Sequence, residues 1–272
     1  MKKLKANNCS IFCILSFLAI ALFSALTVMP GFALADELPS CSDLPGHAKL
    51  QATLETVVDG GENGGLETEM WATIVDRDGV VCAVAFSGEN RGDQWPGSRI
   101  ISAQKANTAN AFSLPKLAIS TANLFFPVQP GQSLFGLQFS NPVVSKLAYR
   151  GDSKDFGQPK DPIAGKKIGG IIVFGGGLPL YNSEGTLLGG LGLSGDTSCS
   201  DHIKAWKVRH ALNLDNVPAG VSPTGDDNII YDLKATSQGY TSASGFGHPS
   251  CDALATEVGK KLPETHPVGA DA

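Results

Sequence analysis

The run GTLLGGLGLSGDTSCSDH, residues 185–202, constrains the fold more than any other part of the chain. Glycines and aliphatic residues alternate through Gly189, Gly190, Leu191, Gly192 and Leu193, the two-residue period of a strand. The alternation stops at Ser194-Gly195. Asp196, Thr197 or Ser198 can then cap a helix, with Asp201 in its first turn. The polar cluster therefore reads as a strand-to-helix turn. A catalytic serine is disfavoured, because the elbow pattern G-x-S-x-G needs glycine where Gly192-Leu193-Ser194-Gly195-Asp196 ends in aspartate.

The elements before this run set the topology. Ser42-Asp43-Leu44-Pro45 is helix-start chemistry, and Leu50, Leu54, Val57 and Val58 follow at helical spacing. Residues 70–76 and 80–86 form a hairpin closed at Asp78-Gly79. The Ala-rich segment 98–112 predicts a helix packed closely on a sheet, and a second helical piece is expected over 116–124. Residues 130–167 are irregular and rich in Gly, Pro and Asp, a length that suits a functional loop or an interface arm. A strand is expected at 168–174, broken by Gly175-Gly176-Gly177, then the strand 186–193 and a helix carrying Ile203, Trp206, Val208 and Leu212. Beyond Val217 a long tail holds one short helix near 252–261. Without regular βαβ alternation, the expected class is α+β, an antiparallel sheet flanked by helices.

At the N-terminus, Lys2, Lys3 and Lys5 precede an apolar run that ends at Ala33-Leu34-Ala35. This is the pattern of a secretory signal peptide cleaved after Ala35, over residues 1–35. Cleavage removes three lysines and takes the formal charge from −5 to −8. An acidic mature chain argues against nucleic acid as a partner, since phosphate contacts need clustered Lys and Arg. No later segment is apolar enough to span a bilayer, so no membrane association is expected after cleavage, and the location is periplasmic or secreted. Cys41, Cys82, Cys199 and Cys251 remain, enough for two disulfides in three possible connectivities. An antiparallel first helix and strand bring Cys41 to Cys82, which leaves Cys199 with Cys251. Closing a loop of this length contributes about 4 kcal/mol in the chain-entropy view.

Chemistry-bearing residues are few. Cys199-Ser200-Asp201-His202 lacks the converging groups of a zinc site, and an oxidised Cys199 is neither ligand nor nucleophile. Gly175-Gly176-Gly177 lets backbone approach a ligand closely, but no nucleotide-binding spacing surrounds it. Among the histidines, His47 on the first helix and His202 on the later one are candidate iron ligands. No C-x-x-C-H occurs, which excludes covalent c-type haem.

Four stretches taken together resemble the GlcG/HbpS-like haem-binding, or haem-degrading, family. They are Ile74-Val75-Asp76-Arg77-Asp78-Gly79, the segment from Ser98 through Ala103-Gln104-Lys105-Ala106-Asn107-Thr108-Ala109, Gly176-Gly177-Leu178-Pro179-Leu180-Tyr181, and Gly185 to Gly195 followed by Asp201. The resemblance covers roughly residues 43–213 and is to longer, exported members. It implies a profilin-like antiparallel sheet flanked by helices, a homo-oligomer, and haem held noncovalently. The domain is placed at 36–216, with 217–272 as a C-terminal extension. His47 or His202 is the expected iron ligand, Lys105 a propionate partner, and Gly176 and Gly177 part of the pocket lining. The rival expectations are an enzyme acting on a small hydroxy or keto acid through Asp201, His202 and Lys105, and an accessory subunit of an exported oxidoreductase with 130–167 as its interface.

Overall fold

A computed structural model describes residues 38–237 and 239–269; the expected signal peptide lies outside them. A single four-stranded antiparallel sheet runs β2-β1-β4-β3, with β1 at Trp71–Asp76, β2 at Val81–Phe86, β3 at Gly177–Tyr181 and β4 at Leu187–Ser194. Four long helices flank it: α1 at His47–Asp59, α2 at Ser98–Phe112, α3 at Ser198–Ala211 and α4 at Ala253–Thr265. This is the α+β architecture expected from the sequence. Among the described residues no helix is long and apolar enough to cross a membrane.

Each face of the sheet buries its own core. Leu50 and Leu54 of α1 pack with Ile203, Trp206 and Val208 of α3 against Leu178, Leu191 and Leu193. The opposite face joins Trp71, Val75 and Val84 to Ile100, Ala103 and Ala106 of α2 and to Ala148 and Ile163 of the long insertion. Glycine is what lets α2 lie so close. A Cβ on Gly190 would run into the Ala106 carbonyl, and one on Gly192 into the Ser102 carbonyl. The alternation in β4 thus gives one leucine-bearing face and one bare face on which a helix backbone rests.

The hairpin forms as expected, its turn held by the Asp76 carboxylate, which accepts from the Asp78 and Val80 amides. Both expected disulfides form, Cys41–Cys82 and Cys199–Cys251. Thr197 takes the cap of α3, its hydroxyl accepting from the Ser200 amide. Two expectations need correction. Residues 168–174 are not a strand, because Gly169 and Gly170 sit at φ of 64° and 86°, which breaks an extended chain. The edge strand begins only at Gly177. The helical piece at 116–124 shrinks to one 3-10 turn, Thr121–Leu124. The segment after Val217 is built into the same core through Ile229, Ala255 and Leu262, and also forms a small hairpin of β5 (Leu233–Thr236) and β6 (Gly239–Ser242).

Candidate functional site

Where the triple glycine enters β3, three segments meet. Lys105 comes from the middle of α2, Asp201 and His202 from the first turns of α3, and His248 from the C-terminal extension. The Lys105 Nζ donates to Asp201 Oδ2 at 2.6 Å and to the Leu193 carbonyl at 3.0 Å. Asp201 Oδ1 accepts from the Asp196 amide at 2.9 Å. The lysine and aspartate are both buried. Burial pushes the Asp201 carboxyl up to about 6, with Lys105 opposing, and lowers Lys105 against the pull of Asp201.

The glycines are required by this crowding. A side chain on Gly175 would strike the Ser198 carbonyl and crowd the His202 Cβ. One on Gly176, at φ 114°, would meet the Leu193 carbonyl, Asp201 and the Lys105 ammonium. Gly177 lies against the Lys105 backbone and donates to the Thr121 hydroxyl at 2.8 Å.

His248 has a defined tautomer. Its Nδ1 donates to the Pro249 carbonyl at 2.7 Å, so Nε2 is free to accept from the Gly175 amide at 3.2 Å. His202 has no such partners. It is fully buried, and neither ring nitrogen makes a hydrogen bond. The neighbouring Asn228 side chain donates one N–H to the Gly259 carbonyl and accepts from the Ile229 amide, and its second N–H bears on the imidazole, raising it against the burial. Burial takes His202 down to about 3, helped by the Arg209 and His248 charges, and His248 down to about 4. Both imidazoles are neutral at physiological pH, and among the described residues neither ring nitrogen of His202 has a hydrogen bond of ordinary geometry.

An apolar cavity of about 360 Å³ adjoins this cluster, lined by Phe125, Val128, Phe135, Phe139, Val173 and Phe174. Two of its rings separate it from the polar groups beneath. Phe174 stands over the Lys105 ammonium at 5.1 Å, and Phe125 against His248 at 5.3 Å. Perturbed ionisable groups beside an aromatic cavity are the combination expected of a functional site.

Of the residues singled out from sequence, Lys105, Gly176, Gly177 and His202 come together here. His47 does not. It begins α1 and its Nε2 contacts the Gly157 carbonyl at 2.7 Å, beside Trp71 and Phe86 on the β1–β2 side of the sheet. His248, Phe125 and Phe174 were missed. The pairing of Cys199 with Cys251 carries the signal for His248, since that bridge brings residues just before Cys251 to the start of α3.

A second cavity, about 540 Å³, lies at the N-terminus of α2 and is lined by Trp71, Arg91, Arg99, Ile100, Tyr149 and Phe156 among others. Its ion pair is structural: Arg99 and Asp161 pair bidentately, and the arginine stacks on Phe156 at 3.8 Å.

Fold and site define an α+β protein with a buried Lys–Asp–His cluster beneath an aromatic cavity. The chain belongs to the haem degrading protein HbpS-like family, which matches residues 54–208. Among solved structures it is similar to protein ORFY of Klebsiella pneumoniae, a DUF336 protein, at 24% identity and a TM-score of 0.42, covering 61% of this chain and 86% of that one. It is also similar to the structure titled PduOC:Heme Complex, at 23% identity and a TM-score of 0.44, covering 64% of this chain and 98% of that one. No curated protein matches significantly.

Proposed function

We propose that the chain is an exported protein that binds haem noncovalently in the phenylalanine-lined cavity, with His202 as the iron ligand. One observation carries the reading: a fully buried, neutral imidazole with neither nitrogen in a well-formed hydrogen bond, in the cluster whose Lys105 and His248 touch the rings of an apolar cavity. Unpaired buried polar atoms are costly and rare, so one at such a place calls for a ligand. Membership of a family described as haem degrading supports the choice of haem. Bound haem supplies an iron with open coordination for small-molecule or redox chemistry. The chain's own residues do the rest. Phe125 and Phe174, which line the cavity, would give the haem an apolar wall and exclude water, and the His248 hydrogen bonds hold the Gly175 backbone in place. Lys105 reaches a propionate only by releasing Asp201. Two disulfides support export to an oxidising compartment. The exposure of Phe135 and Phe139 at the cavity rim supports a homo-oligomer contact there.

Titration with haem, followed by the Soret band, tests this. His202→Ala abolishes or shifts the band, Phe174→Ala changes its intensity, and His47→Ala leaves it unaltered. An unchanged spectrum in His202→Ala rejects the ligand. The raised Asp201 carboxyl favours a second reading, acid–base chemistry on a small hydroxy or keto acid by Lys105, Asp201 and His202. A protein silent to haem, with turnover of such an acid lost in Asp201→Asn, would select it.

A further inference from the structure

We propose that the larger cavity at the start of α2 is a second ligand site, built for a small flat apolar molecule bearing one carboxylate. The walls set the body of the ligand: Trp71, Ile100, Tyr149 and Phe156 enclose about 540 Å³, ample for an aromatic acid. The polar groups set its charge. α2 is fifteen residues long and starts behind Gly97, with no side chain capping it. The Arg99 and Ile100 amides find no acceptor among the described residues, and both residues line the cavity. An open helix N-terminus carries about half a positive charge and points its amides at whatever lies before it.

A second, independent observation points the same way. Trp71 is 1% exposed, lines the cavity, and its Nε1–H has no acceptor. Arg91, an exposed residue, lines the same cavity and makes no ion pair among the described residues. The acidic group that feels it, Asp152, is exposed and tied to Lys154. Arg99 contributes no free charge, because Asp161 and the Ala148 carbonyl use its donors; it serves as wall. What remains is a partial charge at the helix end, one unpaired guanidinium and an unsatisfied indole N–H around apolar rings. One carboxylate satisfies them, and the rings take the rest.

Isothermal titration of the folded protein with indole-3-acetate, indole-3-acetamide and inorganic phosphate tests the assignment. The acid is expected to bind at least about tenfold more tightly than the amide, the size of one charged hydrogen bond, and more tightly than phosphate. Arg91→Ala weakens the acid about tenfold. Gly97→Asp places a carboxylate of the protein's own over the free amides, at a position where a Cβ meets nothing within 4 Å. It should abolish binding while its melting temperature holds or rises. Equal binding of acid and amide, phosphate binding as well as the acid, or full binding by Gly97→Asp each overturns the proposal. The haem Soret band separates the two sites. It should be untouched in Gly97→Asp, and its loss there would mean that this cavity is the haem site and not a second one.

Discussion

Arg99 and Lys105 stand on the same helix, both buried, each paired with one aspartate from a distant segment. Asp161 is satisfied from every side. It takes two guanidinium nitrogens and the amides of Gly157 and Ile163. Asp201 takes one ammonium and one amide. The lysine has three donors but two acceptors, with the Phe174 ring beside it. Arginine cannot give up its proton in a protein, whereas a buried lysine readily shifts. The first pair pins the insertion to the sheet. The second can exchange a proton, and it sits under the cavity with the free imidazole. Equal burial thus hides different roles, and the number of satisfied donors and acceptors tells them apart.

The largest effect that tests this contrast is Asp161→Ala. It strands a buried guanidinium that cannot neutralise itself, at a cost of about 3–5 kcal/mol, and the cost should be level from pH 5 to 8 in urea melts. Lys105→Met should cost less, roughly 1–3 kcal/mol, because the Asp201 it leaves can take up a proton. Its cost should grow from pH 6 to pH 8 as that carboxyl is forced to ionise. If the two variants show the same pH profile, the distinction between the pairs falls. The double variant Lys105→Met with Asp201→Asn, having no buried charge left to strand, is expected within about 1 kcal/mol of wild type. A double variant as damaged as Lys105→Met alone would mean that packing, not charge, sets the cost.

What the sequence made legible follows the range of the forces involved. The hairpin could be read because Asp78-Gly79 and its carboxylate cap act within a few residues. The Gly–Leu alternation of β4 and the small residues of α2 could be read because each shows the close approach of helix to strand. The disulfides followed from that local topology. Residues 168–174 misled because β-branched residues favour a strand, while positive φ at Gly169 and Gly170 depends on how the chain returns past α2. The site was half legible. Lys105, Gly176, Gly177 and His202 converge, but the surroundings of His202 could not be known, since they depend on how Asn228 of the distant C-terminal segment divides its amide between Gly259, Ile229 and the imidazole. Phe125 and Phe174 come from irregular backbone, where neither period nor motif marks a residue as lining a cavity.

The smallest effect separates the titratable region from the fixed one by pH alone. His202 and His248 are held at about 3 and about 4, below the ordinary value near 6.5. Between those values and 6.5 the unfolded chain binds the extra protons, so stability is lost as pH falls from 6.5 toward 4. Asp201 works in the opposite sense. Its carboxyl, near 6 when folded, binds its proton in the native state first, so its contribution is lost as pH rises from about 4 to about 6. Two histidines against one aspartate leave net acid destabilisation. His202→Leu removes one of the two, and should flatten the stability profile between pH 4.5 and 6.5 by about one proton, roughly 1.4 kcal/mol per pH unit. Curves that run parallel for variant and wild type would show that His202 is not held below its ordinary value in the fold, against the buried, unpaired imidazole on which the iron-ligand reading rests.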